Sequence, residues 1–222
     1  QMGAIAAVIY EYWARLWGAA TGIFSVEPQG RRLGIGLILA SIPIVLIGLT
    51  FGQTVKELLF NDIAIAIGLI VGGLIIIWIE KHPPQERVHE VEDLSIKDAI
   101  WIGLIQVLSL IPGTSRSGAT IIGAMFLGVS RKAATEFSFF LGIPVIIGAG
   151  LLDLYQSAHV FDGQQDWIVL ATGIIVSFIS ALLLIRALVA YVAKRDFMIF
   201  AWYRIASGLV ILLFAFTGWT LW

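Results

Sequence analysis

Six stretches of the chain, residues 1–17, 33–51, 62–79, 133–154, 167–192 and 199–222, are almost continuously apolar and are separated by charges and turn signals. Runs near the roughly 20 residues needed to cross a bilayer predict transmembrane helices, because lipid offers no partner to the backbone of an open strand. The first run lacks a basic leader and a cleavage motif, so it predicts a span clipped at its start and not a signal peptide. Two more apolar runs, 99–111 and 118–129, are each too short to cross. Between them stand Pro112 and Gly113, then Thr114, Ser115, Arg116 and Ser117. This pattern predicts a helical hairpin that enters and leaves the membrane on one side.

Basic residues concentrate in cytoplasmic loops. With Arg31 and Arg32 placed inside, Lys81, Arg87, Lys97, Arg131, Lys132, Lys194 and Arg195 also fall inside, and residues 156–166 carry no Lys or Arg. That bias requires the hairpin to contribute an even number of crossings. Three spans, a hairpin and three more spans invert the second half, as in inverted repeats with broken helices. The predicted fold class is an all-α integral membrane protein of about six transmembrane helices plus one re-entrant hairpin, in an inverted-repeat architecture whose first hairpin would precede residue 1. It forms a single polytopic membrane domain over 1–222. Residues 1–80 are the remainder of the first repeat, 81–98 a polar cytoplasmic loop, 99–129 the hairpin, and 130–222 the rest of the second repeat.

Composition agrees. Of 222 residues, 59% are apolar and 13% charged, against about 45–50% and 25% in soluble domains. A net charge of -1, from 14 Lys+Arg and 15 Asp+Glu, argues against nucleic acid as a partner. The absence of cysteine excludes disulfides, thiolate metal sites and a Cys nucleophile. Trp13, Trp17, Trp167, Trp219 and Trp222 fall at predicted span ends and read as interface anchors.

Arg116 is the leading candidate for chemistry. An ionised Arg at a hairpin tip within the bilayer is costly unless something pairs with it, and its planar fork suits phosphate or carboxylate. Thr114, Ser115, Ser117 and Thr120 supply hydroxyls around it. Pro112 and Gly113 end the first half-helix, and the second begins near Ser117 with free N–H groups facing the same place. Together they make a phosphate-type anion cradle. The competing reading is a plain polar loop with a snorkelling Arg and capping hydroxyls. Gln106 fits either a contact across the hairpin or an interhelical hydrogen bond. Glu136 fits pairing with Arg131 and Lys132 one turn away, or a reach into the site. His82, His89 and His159 read as solvated surface residues, and Glu11, Asp153, Arg186 and Arg204 as paired or snorkelling groups. Gly68, Gly72, Gly73, Gly142, Gly148 and Gly150 offer faces for close helix packing, or an isoprenoid groove.

The run from Pro112 to Thr120, followed by Gly128-Val129-Ser130-Arg131 and Glu136-Phe137-Ser138-Phe139, resembles the undecaprenyl-diphosphate phosphatase, or bacitracin resistance protein, family. Ile42-Pro43, the 62–80 span and Asp153-Leu154-Tyr155 extend the resemblance more weakly. It implies a multi-pass enzyme of the bacterial inner membrane, its site facing the outer side. Such an enzyme removes the terminal phosphate of a C55 polyprenyl diphosphate, returning the lipid carrier to cell-wall synthesis and giving bacitracin resistance. It further implies Arg116 as phosphate clamp with Ser115 and Ser117 beside it in catalysis. Thr120 would be a further hydrogen-bonding neighbour, and Mg²⁺ or Ca²⁺ the cofactor. Gly113, Thr114 and Gln106 join Thr120 as candidates for substrate contact, and the expected partners are the lipid bilayer and a second copy in a homodimer. The family's first motif, a Glu-rich stretch ending in Ser-Ser-Thr-Gly-His, is not found in residues 1–222. The metal ligands therefore stay unassigned, and the chain alone is expected to carry half a site and little activity. Two rival readings are a lipid-phosphate transporter or flippase, since broken inverted repeats also serve transport, and a scaffold, which leaves Arg116 unexplained.

Overall fold

The computed structural model describes residues 1–23, 28–157 and 163–217. Its helices are α1 (Met2–Glu11), α2 (Trp13–Gly22), α3 (Pro28–Leu59), α4 (Asp62–Lys81), α5 (Ile96–Gln106), α6 (Arg116–Phe126), α7 (Arg131–Ser157), α8 (Gln164–Val192) and α9 (Met198–Thr217). Among the described residues, five helices are long and apolar enough to cross a membrane: Gln29–Leu59, Asp62–Lys81, Arg131–Gln156, Asp166–Val192 and Met198–Thr217. The protein is thus an all-α, multi-pass membrane protein. Residues 218–222 of the last predicted span, with Trp219 and Trp222, lie outside the described residues, as does His159.

The first predicted span departs from expectation. It breaks at Tyr12, whose φ of -110° and ψ of 23° end α1 before α2 begins. The cause is tertiary: Tyr12 packs edge-on against Phe140 with ring centroids 5.0 Å apart, and Arg15 bonds acidic groups on the segment between α4 and α5 and on α7. Helix α2 then lies against α3 so closely that a Cβ on Gly22 would sit 2.6 Å from the Gly30 backbone.

Helix α4 runs along α9, and α1 along α8. The α5–α6 hairpin fits between α3, α4 and α7. Ser95 caps α5 by accepting from Asp98 N, and Ser115 caps α6 by accepting from Gly118 N. The 11 residues of α5 rise only about 16 Å, half a bilayer core. Both feet of the hairpin are tied at one end of the molecule. Arg87 N donates to Gly128 O at 2.8 Å, Ser130 N to Val88 O at 2.8 Å, and Arg87 Nε to Leu127 O at 2.7 Å. The segment is therefore a helical hairpin whose two short arms start and end together. The tightest core, with Val91, Ile102, Val129, Phe137, Phe140 and Leu141 almost inaccessible, surrounds these feet and the first turns of α7. Much of α8 is exposed apolar surface suited to lipid.

Candidate anion site at the hairpin tip

A 3-10 turn over Val107–Leu110 follows α5, and the chain reverses through Pro112 and Gly113. Gly113 has φ +80°, and a Cβ there would lie 2.2 Å from Ile65 O. Only glycine combines that backbone conformation with so close an approach to α4. The tip is seated beside Ile65, Gly68 and Gly72, past the middle of α4 from the hairpin's feet.

From this reversal α6 starts at Arg116, its first N–H groups turned to the tip. Ser115 Oγ and Ser117 Oγ are 3.3 Å apart. Arg116 is half-buried and lies flat over Gly142 of α7, where a Cβ would come within 2.6 Å of Nη1. Its one hydrogen bond to a described residue is from Nη1 to Ser138 O, at 3.3 Å. Among the described residues no carboxylate pairs with it, unlike Arg15, Arg87, Arg131 and Arg186.

Two apolar cavities meet around this start of α6. One of about 620 Å³ runs between α1, α7, α8 and α9, with Arg116 on its wall among Ile5, Val8, Phe139, Leu184 and Leu188. The other, about 360 Å³, holds Ser115, Ser117, Gly118 and Arg204, and shares Leu188 and Phe200 with the first. Among the described residues, no His, Asp or Glu lines either one.

Of the residues proposed from sequence, the tip gathers Gly113, Thr114, Ser115, Arg116 and Ser117. The other two lie behind it. Thr120 is buried, and its Oγ1 is engaged with Ser138 Oγ at 2.7 Å and with the carbonyls of Arg116 and Ser117. Gln106 is fully buried, and neither amide atom has a hydrogen-bond partner among the described residues. Glu136 belongs to neither arrangement predicted for it: it accepts from Arg15 Nη1 at 2.7 Å, while Arg131 pairs with Glu80 and Lys132 with Glu90. The small glycine faces serve packing and arginine placement, since Gly73 meets Ile205 and Gly150 meets Met2.

Sequence reasoning missed Arg204. It lies within the apolar α9 yet pairs with no described carboxylate, and its Nη2 donates to Gly68 O at 3.1 Å and Gly113 O at 3.0 Å. The argument that singled out Arg116, an ionised group inside a span, applied to Arg204 with equal force.

No group of three or more His, Cys, Asp or Glu among the described residues is arranged to hold a metal ion. The tip offers guanidinium groups, hydroxyls and amide N–H, a donor set for an anion and not for a divalent cation. The described residues do not fit the expected Mg²⁺ or Ca²⁺.

The sequence profile of the family described as bacitracin resistance protein BacA matches residues 1–210. The chain belongs to the BacA family. Its relatives include the undecaprenyl-diphosphatase 1 of Acinetobacter baylyi, 80% identical over 222 residues, all of this chain and 81% of that protein. The undecaprenyl-diphosphatase of Psychrobacter cryohalolentis is 56% identical over 97% of this chain and 78% of its own length. The undecaprenyl-diphosphatase 2 of Rhodospirillum rubrum is 49% identical over all of this chain and 80% of its own. Membership in the BacA family thus joins an unpaired cationic tip to relatives named for hydrolysing a lipid diphosphate.

Proposed function

We propose that the protein hydrolyses undecaprenyl diphosphate to undecaprenyl phosphate and inorganic phosphate, recycling the lipid carrier of cell-wall synthesis and giving bacitracin resistance. One observation carries the reading. A half-buried guanidinium with no described carboxylate partner stands where an apolar cavity of about 620 Å³ meets a helix N-terminus. A polyprenyl diphosphate matches that contrast, its tail lying on apolar walls and its headgroup at Arg116.

In this reading the terminal phosphoryl group sits at the start of α6, where Arg116 and the free N–H groups offset the charge on its equatorial oxygens. Ser115 and Ser117 present hydroxyls to the same oxygens. A water oxygen forms the new bond to phosphorus as the anhydride P–O bond breaks, and its electrons leave on the C55 monophosphate. No described group at the tip can take the water's proton, so the base belongs to residues beyond those gathered there. A divalent cation enters the proposal only as a companion of the diphosphate, not as a ligand of these side chains. We place the protein in the bacterial inner membrane with its site facing the outer side, a reading supported by the seating of the tip beyond the middle of α4 from the hairpin's feet.

The test is phosphate release from C55 diphosphate by the purified full-length gene product, compared with Arg116→Ala. Loss of release in the variant is expected; equal turnover would remove Arg116 from the chemistry. None of the relatives named above is named as a transporter. Labelled lipid moved across liposomes without phosphate release would restore the transport reading.

A further inference from the structure

Arg204 is the second half-buried arginine near the tip, and its surroundings are unusual. It lies on α9, 91 residues from Gly113, and its Nη2 bridges two backbone carbonyls of different elements, Gly68 O on α4 and Gly113 O at the hairpin break. The carbonyl of Gly113 lies where the helical ladder is interrupted, so this donor supplies what the backbone itself does not. The fit excludes side chains at three places. A Cβ on Gly72 would lie 2.2 Å from Arg204 Nη2, one on Gly68 2.6 Å from Pro112 O, and one on Gly113 2.2 Å from Ile65 O. Three elements are thereby brought together on glycine surfaces with one guanidinium at their junction.

Where a bond to a single nearby carbonyl suffices, Gln or Asn provides it at far lower desolvation cost, but their stems are shorter than the arginine that reaches both carbonyls here. Here the pin carries a charge that no described carboxylate offsets. Its Nη1 lies 3.6 Å from the Cβ position of Gly118, on the α4 side of the α6 N-terminus, while Arg116 lies on the α7 side against Gly142. The junction thus sets both where the tip stands and the field at the helix start.

We propose that Arg204 is a positioning residue of the phosphate site. It holds the hairpin break against α4 and so fixes the α6 N-terminus and Arg116 relative to the bound headgroup. This rests on the phosphatase reading above for its activity readout, and on the tip geometry alone for its structural one.

The experiment compares wild type with Arg204→Gln, Arg204→Lys and Gly72→Ala in the full-length gene product. It reads kcat and KM for C55 diphosphate, melting in detergent, and the distance between nitroxide labels on Leu108→Cys and Leu74→Cys, both exposed. The absence of native cysteine in residues 1–222 favours such labelling. Arg204→Gln is expected to lower kcat between about tenfold and a hundredfold, the scale of a small misplacement of reacting groups, while the protein remains folded and the label distances broaden. Arg204→Lys restores part of kcat, since an ammonium still reaches one carbonyl and keeps the charge. Gly72→Ala, which displaces the guanidinium, reproduces the loss and adds nothing to Arg204→Gln in the double variant. A lowered melting point with unchanged kcat in the folded fraction, or unchanged label distances, would overturn the proposal. Wild type that releases no phosphate would instead defeat the phosphatase reading, with the label distances still deciding the position of the tip.

Discussion

The molecule treats its arginines in two ways. At the hairpin's feet, Arg15 bonds Glu92 and Glu136, Arg87 bonds Asp98, and Arg131 bonds Glu80, which also accepts from Phe197 N. At the tip, Arg116 and Arg204 find only backbone carbonyls among the described residues. The first group closes its charges inside the protein and knits loop, α2, α4 and α7 together. The second leaves positive charge unspent beside an apolar cavity, and an anion from outside can complete it. The presence or absence of a local carboxylate separates the arginines of the hairpin's feet from the two that build the anion site at its tip.

The sharpest way to break this contrast is Arg116→Ala. Phosphate release should fall by about 10²–10³ or more, the scale of losing a donor to a developing oxyanion, with melting in detergent little changed. Loss of folding with normal turnover would place Arg116 with the structural group. Glu80→Ala should do the reverse. It strands Arg131 and removes the acceptor of Phe197 N, destabilising by about 3 kcal/mol on the usual cost of opening a buried pair, while kcat of the folded fraction stays at the wild-type value; unfolding in mixed micelles measures it. Thr120→Ala tests the boundary between the regions. Because its hydroxyl is buried against Ser138, about 1–2 kcal/mol of stability should be lost with KM unchanged, and a raised KM would return Thr120 to the substrate.

The smallest effect is pH-dependent. Burial pushes the Asp98 carboxyl up, but hydrogen bonds from Arg87 and Ser95 and the Arg87 charge outweigh it and hold the carboxyl below its ordinary value. An acid held low contributes stability above its unfolded pKa and loses it as pH falls. Melting should therefore drop below about pH 4. The loss should be on the order of 1 kcal/mol or less, because Arg87 is half exposed and screened. Asp98→Asn should flatten that slope.

The hairpin was legible because its signals are local: two runs too short to span, Pro112-Gly113 between them, and an Arg beside hydroxyls. The long spans were legible from composition. The break at Tyr12 was not, since neither Pro nor Gly marks it and its cause is packing on Phe140 and the reach of Arg15 across 121 residues to Glu136. Arg131 and Lys132 misled for the same reason. Proximity within a helix suggested Glu136, whereas the folded chain delivers Glu80 and Glu90. Arg204 escaped because its partners are carbonyls, which every residue carries and no side-chain pattern announces.

The bond between Arg204 and Gly113 also has a consequence for biogenesis. The two residues are 91 positions apart, so at ribosomal speeds the hairpin is made roughly 5–18 s before its anchor. During that interval the nascent hairpin packs on α3, α4 and α7 without the Arg204 pin at its tip. A ribosome stalled before α9 emerges should leave the hairpin open to added protease, and release of the arrest should close it.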